Sequence, residues 1–185
     1  MLYLTDLKPG VSFIFNNEPY QVVYSEHSKQ GRGGAIMRTK IKNLLTGAMF
    51  DRTFKGNESF DEAEIERTKA QFLYKDSANF FFMDPVSFDQ FSLTENQIGT
   101  NKNYLKDGLD VEILYFQNKP ININLPIKLD LKVTYTEPGF RGDTQSTTYK
   151  PATLETGYEL QVPLFIKEGD IIKVDTRTGK YIERA

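Results

Sequence analysis

The residues best suited to chemistry in this sequence are a group of cations in a stretch without acidic residues. Between His27 and Phe50 there is no Asp or Glu, whereas five basic residues occur there: Lys29, Arg32, Arg38, Lys40 and Lys42. If residues 35–45 form a strand, alternation places the last three cations on one face, about 6.6 Å apart. That spacing is close to the separation of successive phosphates along an RNA strand, so the pattern predicts phosphate binding. The alternative is an edge strand whose lysines prevent one sheet from associating with another.

A glycine-rich segment precedes this predicted strand. Gly31, Gly33 and Gly34 surround Arg32, and we expect a hairpin loop there, because glycines permit positive φ and a close backbone approach. The arginine would be the one large side chain near the tip. A guanidinium stays protonated at neutral pH and presents a planar fork of donors, so it would orient and stabilise an anionic partner rather than act as a base. A surface turn with a solvated arginine is the alternative.

Enzyme chemistry finds little support in the sequence. His27 is the single histidine and there is no cysteine, which excludes disulfides, thiolate zinc sites and cysteine nucleophiles. The carboxylates form no cluster with metal-ligand spacing, and no dinucleotide-type or Walker-type glycine motif follows an apolar strand. We therefore predict a protein that is not an enzyme and uses no metal or cofactor. A glycosidase-like enzyme with paired carboxylates is the weaker alternative.

Composition indicates a folded chain without a membrane segment. The 185 residues are 39% hydrophobic and 13% aromatic, with a formal net charge of −2. No apolar run approaches the roughly 18 residues that a membrane span needs, and the first residues lack the basic start of a targeting segment. We expect a cytoplasmic protein, and the net charge by itself does not favour a polyanionic partner.

Alternating apolar and polar residues dominate the chain and predict an all-β fold. The clearest cases are residues 129–135 and 158–166, and many short strands are typical of barrels or sandwiches. Helical signals are few: Asp84 followed by Pro85 predicts a short helix to Phe91, and residues 95–106 predict another turn or two. Turns and a run of acidic residues divide the chain into three units, residues 1–63, 64–127 and 128–185.

Several longer motifs give the chain a resemblance to a known family. The longest is KPATLETG at residues 150–157, continued by VPLFI at 162–166 and VDTRTGKY at 174–181. Others are KIKNLLTG at 40–47, FMDP at 82–85 and GDT at 142–144. Across essentially the whole chain, these motifs resemble those of bacterial translation elongation factor P.

The resemblance implies an L-shaped protein of three small β-barrels. Residues 1–63 would form a KOW-like barrel of the SH3 type, and residues 64–127 and 128–185 would form two OB-fold barrels. It further implies binding to both subunits of the ribosome beside peptidyl-tRNA, and relief of stalling at runs of prolines by positioning of the tRNA acceptor end. We expect a monomer.

The resemblance also assigns roles to individual residues. The tip loop around Arg32 would reach the tRNA acceptor end, with Gly31, Gly33 and Gly34 beside it. A set of basic residues would bind tRNA or rRNA: Lys29, Arg38, Lys40 and Lys42. The loop with Gly142, Asp143 and Thr144 would face the codon on the small subunit.

The tip has an arginine where the commonest family pattern has a lysine. β-Lysylation of an amine cannot occur at Arg32, which leaves rhamnosylation by a modifying enzyme or a bare guanidinium as alternatives. The elongation factor P-like paralogue, which also has an arginine, is the nearest competing identification. A general single-stranded RNA-binding OB protein is a further alternative, and it would use aromatic platforms such as residues 80–82 or 115–116.

Overall fold

The computed structural model describes residues 1–29, 35–138 and 149–185. Within those residues the chain is mostly β-strand, which confirms the predicted all-β fold. The strands, numbered in chain order, are β1 (Leu2–Tyr3), β2 (Ser12–Phe15), β3 (Glu18–Lys29), β4 (Ala35–Asn43), β5 (Met49–Lys55), β6 (Ser59–Phe60), β7 (Ile65–Lys75), β8 (Asn79–Met83), β9 (Gln90–Thr94), β10 (Asp110–Phe116), β11 (Lys119–Asn124), β12 (Lys128–Thr136), β13 (Tyr149–Leu154), β14 (Glu159–Pro163), β15 (Ile171–Asp175) and β16 (Lys180–Arg184). Helix in this part of the chain is limited to α1 (Glu95–Ile98) and to 3-10 segments at Leu4–Asp6 and Gly99–Tyr104. None of these helices is long and apolar enough to cross a membrane.

Strands β2, β3, β4 and β5 form an antiparallel sheet in that order, which we call the N-terminal sheet. Its core is aromatic, and Phe13 contacts Phe54 and Phe60 edge-on with ring centroids 6.1 and 5.2 Å apart. Asn16 and Asn17 have positive φ and form the two-residue turn between β2 and β3, because asparagine tolerates the left-handed region better than most residues. This turn sets the register between the first two strands.

The second sheet, which we call the central sheet, has the order β11-β10-β7-β8-β9. Its core contains the buried rings of Phe72 and Phe82, packed with aliphatic residues of β9, β10 and β11. The backbone N–H of Thr94 donates to Gln97 Oε1 over 2.9 Å at the start of α1. The prediction of a helical turn or two within residues 95–106 is confirmed by α1 and the 3-10 segment that follows it, which connect β9 to β10.

The third sheet, which we call the C-terminal sheet, has the order β14-β13-β12-β15-β16. In β12 the buried residues are Leu129, Leu131 and Val133, with exposed residues between them. The alternation predicted for residues 129–135 is therefore confirmed as far as Val133, whereas Tyr135 is exposed beyond an irregularity in the pairing with β13. The three buried side chains pack with Ile172 and Val174 of β15. The buried face of each strand therefore points to one shared core.

The prediction of a helix from Asp84 to Phe91 is wrong. Asp84 Oδ1 instead accepts hydrogen bonds from the backbone N–H of Val86 (2.7 Å) and Ser87 (3.0 Å), which is a turn that mimics the start of a helix. Phe88 then takes a positive φ of 61° and reverses the chain. Strand β9 follows at Gln90 and pairs with β8.

The three sheets contact one another through a few specific residues. Asn122 Nδ2 of the central sheet donates to the carbonyl oxygen of Leu44 over 3.1 Å, in a buried position. Tyr104, at the end of the 3-10 segment, packs into the core of the C-terminal sheet. Leu109 and Leu125 pack against the cores of both the central and the C-terminal sheet.

Candidate nucleic-acid interface

The predicted hairpin before residue 35 is present as the pairing of β3 with β4. Paired residues run from Tyr20 opposite Asn43 to Lys29 opposite Ala35, a stem about 30 Å long at the usual rise of a strand. The four tip residues, Gly31, Arg32, Gly33 and Gly34, lie outside the described residues, and Lys29 is the last residue of β3.

A β-bulge in β3 sets which side chains face the cations of β4. Val22 is paired with Ile41 and Tyr24 with Lys40, so Val23 is an extra residue. A bulge shifts all later side chains of its strand by one position relative to the partner strand. Tyr24 and Glu26 therefore lie on the same outer face as the cations of β4.

The three cations predicted to share one face of β4 do so. Arg38 and Lys40 are exposed and Lys42 is half-buried, while the alternate residues Met37 and Thr39 are buried. The alternation follows directly from strand geometry. The basic stripe inferred from the sequence is therefore present as a row of side chains.

The same face also contains carboxylates from the neighbouring strands, which the sequence did not indicate. Glu26 of β3 lies directly opposite Arg38, and Asp51 of β5 lies directly opposite Lys40. Within the described residues, the ion pairs closer than 4 Å all lie elsewhere. The face is thus a mixed-charge surface. Arg38 and Lys40 can reorient toward a ligand, and the carboxylates of Glu26 and Asp51 limit the positive potential of the face.

Lys42 differs from the other two cations. It lies between Gln21 of β3 and Met49 of β5, neither of which is charged. Desolvation by burial lowers the pKa of its ammonium group, because the low-dielectric surroundings disfavour the charged form. Lys42 is consequently less suited than Arg38 or Lys40 to contact a solvated phosphate.

A groove of about 590 Å³ runs along this face. Residues of β3, β4 and β5 line it: Tyr24, Glu26, Arg38, Thr39, Lys40, Asp51, Arg52 and Thr53. Arg52 is paired with the buried Thr39, so its side chain leaves β5 on the face opposite Lys40 and Asp51. Its guanidinium carbon lies there 5.7 Å from the centre of the Phe15 ring, in a cation–π contact. The place of Tyr24 beside the cations was not predictable, because the bulge at Val23 is not visible in the sequence.

The second predicted loop, with Gly142, Asp143 and Thr144, lies outside the described residues. Lys150, which follows the loop in the chain, donates from Nζ to the carbonyl oxygen of Glu137, which precedes it, over 2.6 Å. Lys150 itself is buried. Thr136 Oγ1 donates to the carbonyl oxygen of Pro151 over 2.8 Å. These two hydrogen bonds hold the ends of β12 and β13 together on either side of residues 139–148.

The described residues contain no group of three or more His, Asp or Glu side chains that could hold a metal ion. The carboxylates with lowered pKa are instead engaged in local contacts. Asp84 accepts backbone hydrogen bonds, which lower its pKa, and Glu95 forms an ion pair with Lys102 that lowers the pKa of its carboxyl. Each of these two carboxyl groups has a structural partner that accounts for its lowered pKa.

The aromatic runs predicted as alternative RNA platforms are divided between the core and the surface. Phe80 and Phe82 are buried in the central sheet, whereas Phe81 lies on the outer face. Tyr115 and Phe116 are half-buried. Only one member of the phenylalanine run is therefore available to a ligand.

These features define an all-β protein of successive small barrels with a mixed-charge groove on its first sheet. Three family models match along the chain: the elongation factor P KOW-like domain at residues 4–60, the elongation factor P OB domain at 65–123, and the elongation factor P C-terminal domain at 129–184.

Similar proteins that align with the full length of this chain belong to the same family as these domain matches. An elongation factor P from Symbiobacterium thermophilum is 46% identical over 185 residues, and one from Endomicrobium trichonymphae is 45% identical over 185 residues. A third, from Carboxydothermus hydrogenoformans, is 44% identical over 184 residues. Each alignment covers 100% of this chain and 100% of the relative. The chain belongs to the elongation factor P family of translation factors, as its sequence motifs predicted.

Proposed function

We propose that the protein binds the ribosome beside peptidyl-tRNA and promotes peptide bond formation at consecutive prolines. The observation that carries the proposal is the β3–β4 hairpin, whose stem of about 30 Å holds Arg38 and Lys40 on its outer face. A stiff arm with cations along it suits a protein that follows an RNA backbone and extends toward a tRNA acceptor end. Family membership supplies the ribosome as the partner.

The proposed action is positional, without enzymatic chemistry of its own. Proline is a poor nucleophile and its ring restricts φ, so a nascent proline pair can hold peptidyl-tRNA away from the attack geometry. A protein that braces the acceptor end restores the rate through orientation, and a tenfold gain requires only about 1.4 kcal/mol. The ribosome would supply the catalysis.

The residue roles follow from this arrangement. Arg32, flanked by Gly31, Gly33 and Gly34, would contact the acceptor end either as a bare guanidinium or after rhamnosylation by a modifying enzyme. The RNA backbone would be held by basic side chains of the hairpin: Lys29, Arg38, Lys40 and Lys42. Gly142, Asp143 and Thr144 would approach the codon on the small subunit.

The proposal further includes a cytoplasmic monomer with three domains. Their bounds are residues 1–63, 64–127 and 128–185, each enclosing one of the three larger sheets. The first would have the KOW-like fold and the other two the OB fold, so that the hairpin arm and the second loop belong to different domains.

A depleted translation system tests the function. Ribosomes translating a reporter with three consecutive prolines would receive wild-type protein, Arg32→Ala or Arg32→Lys, with Arg184→Ala as a control at the far C-terminal strand. We expect Arg32→Ala to lose most of the rescue, Arg32→Lys to keep a part of it, and Arg184→Ala to match wild type. If Arg32→Ala rescues as well as wild type, the tip assignment is wrong, and if wild type fails to rescue at all, the proposed function is wrong.

The modification of Arg32 has a separate test. The intact mass of the protein purified from its native host would exceed the sequence mass by roughly 146 Da if one deoxyhexose is attached. An unmodified mass would assign the bare guanidinium.

A further inference from the structure

The outer face of the central sheet contains a pair of parallel aromatic rings. Tyr74 of β7 and Phe81 of β8 are stacked with their centroids 4.7 Å apart and their planes at 18°. Tyr74 is 49% exposed and Phe81 is half-buried. Most aromatic contacts in the cores are tilted or edge-on instead, as for Phe72 with Phe80 at 40°.

A bulge brings the two rings onto the same face. Phe72 pairs with Phe82, and Tyr74 pairs with Phe81, so Leu73 is an extra residue in β7. Phe72 and Phe82 are buried in the core, and the next pair of the ladder points the opposite way, to the outside. Without the bulge, Leu73 would stand opposite Phe81 and no stack would form.

We propose that the Tyr74–Phe81 stack binds an unpaired RNA base, as a second RNA contact separate from the groove of the N-terminal sheet. Tyr74, Phe81 and Ser92 form one row across β7, β8 and β9, the first three strands of the OB unit. OB folds bind oligonucleotides on the face made by their second and third strands. A planar base can extend an existing parallel stack, and such stacking accepts any base because each has a π-face.

The surroundings of the stack match a base better than a phosphate. In β8 and β9 the residues that share the outer face with the stack are uncharged: Asn79, Met83, Gln90, Ser92 and Thr94. Farther along β7 and in β10, the same face contains Lys69, Asp110 and Glu112. Between residues 64 and 127, acidic residues outnumber basic ones, so RNA would be held at the stack by its base rather than by attraction to its phosphates. The carboxylate of the β7–β8 loop, Asp76, accepts hydrogen bonds from the backbone N–H of Ala78 and Asn79 and is thereby occupied.

A protein partner is less well matched. Docking surfaces for proteins usually combine several apolar side chains at their centre, whereas the stack is bordered in β9 by the polar residues Gln90, Ser92 and Thr94. The inference goes beyond the proposed function, in which the central sheet has no direct contact with RNA.

Tryptophan fluorescence gives a direct test, because the chain contains no tryptophan. Tyr74→Trp would place a single fluorophore in the stack, and Tyr3→Trp would place one at a tyrosine that is 58% exposed on β1. We expect single-stranded oligoadenylate RNA to quench Tyr74→Trp at low salt, and an abasic ribose-phosphate chain of the same length to leave it unchanged. Equal quenching of both variants, or no quenching of Tyr74→Trp, would overturn the proposal.

Further variants test the affinity of the stack for RNA and its independence from the groove of the N-terminal sheet. Tyr74→Leu and Phe81→Leu keep an apolar side chain but remove the ring, and each should weaken oligoadenylate binding about fivefold to a hundredfold, while Tyr3→Leu should not. Quenching of Tyr74→Trp should persist when Arg38→Gln is added, so that a failure of the groove assignment stays distinguishable from a failure of the stack.

On ribosomes, a photo-crosslinking amino acid at position 74 identifies the RNA. Reverse-transcription stops on rRNA or on tRNA would each support the proposal and name the source of the base. Crosslinks to ribosomal protein alone would contradict it.

Discussion

Tyr104 packs edge-on against Tyr158, with ring centroids 5.2 Å apart and planes at 62°. Tyr104 ends the 3-10 segment that follows the central sheet's α1, whereas Tyr158 immediately precedes β14 of the C-terminal sheet. Both hydroxyl groups approach Gly179, where a Cβ would lie 2.4 Å from the Tyr158 oxygen and 3.0 Å from the Tyr104 oxygen. Desolvation, followed by the hydrogen bond with Tyr158, raises the pKa of Tyr104. The two rings and the glycine therefore form one of the contacts that join the two sheets, beside Leu109 and Leu125.

Gly179→Ala should destabilise the protein strongly. The residue has a φ of +70° and no room for a Cβ, so alanine adds both backbone strain and a clash. Gly169→Ala is the matched control, because Gly169 has a φ of +89° but nothing within 4 Å of its Cβ position. We expect the free energy of unfolding to fall about 1–3 kcal/mol further for Gly179→Ala than for Gly169→Ala in urea titrations. Adding Tyr158→Phe, which removes the nearest oxygen, should recover part of the loss; equal losses at the two glycines would contradict the steric account.

The ion pair of Asp175 with Arg177 should give the protein an acid-dependent stability. Hydrogen bonds from the Arg177 side chain (2.7 and 3.2 Å) and backbone lower the pKa of Asp175 to about 2. Because the folded-state pKa is lowered, ionisation of this carboxyl stabilises the fold above its ordinary pKa of 3.8, and the contribution is lost as the pH falls through about 2. Asp175→Asn should therefore have a lower Tm than wild type at pH 7.

The measurement is the difference in Tm between wild type and Asp175→Asn as a function of pH. This difference should shrink as the pH is lowered from about 4 to about 2, since the wild-type carboxyl becomes protonated. Arg177→Gln removes the same ion pair and should reproduce the behaviour. A difference that stays constant over that range would mean that the carboxylate charge is not what stabilises the turn.

The carboxylates on the groove of the N-terminal sheet should weaken RNA binding. Glu26 lies opposite Arg38, so Glu26→Gln removes a negative charge beside a residue that we propose binds phosphate. We expect ribosome affinity to rise about twofold to fivefold, as for exposed charge pairs. Arg38→Gln should lower the affinity and reduce the slope of log affinity against log salt by about 0.7–0.9.

Glu159→Gln is the control for that experiment, because it changes the net charge equally on β14, far from the groove in the chain. If it raises the affinity as much as Glu26→Gln does, the effect reflects net charge rather than the position of Glu26. Filter binding over a salt series distinguishes the two results.

Much of the groove was predictable from the sequence, because the alternation along β4 fixes the faces of Arg38, Lys40 and Lys42 whatever the partners are. The positions of Glu26 and Asp51 were not, because they depend on which strands pair and on the extra residue Val23. Pairing register is a long-range property, and a one-residue bulge leaves no mark on local periodicity.

The helix predicted at residues 84–91 failed for a different physical reason. An aspartate before a proline satisfies the first backbone N–H groups equally well in a turn and at a helix start. The outcome was decided four residues after Asp84, where Phe88 takes a positive φ and the chain turns so that β9 pairs with β8. Strand β5 was not predicted from the sequence. Most of its residues are exposed, so it lacks the alternation of apolar and polar residues that marks a half-buried strand.

Leu109 and Leu125 pack into two cores at once. The residues of the second and third barrels must therefore match each other when sequences of relatives are recombined. A chimera that exchanged either barrel alone between relatives would pair a leucine from one parent with a cavity shaped by the other. Recombination that keeps residues 65–184 together would avoid that mismatch, and an exchange of the N-terminal sheet would still have to preserve the buried contact of Leu44 with Asn122 and Ile121.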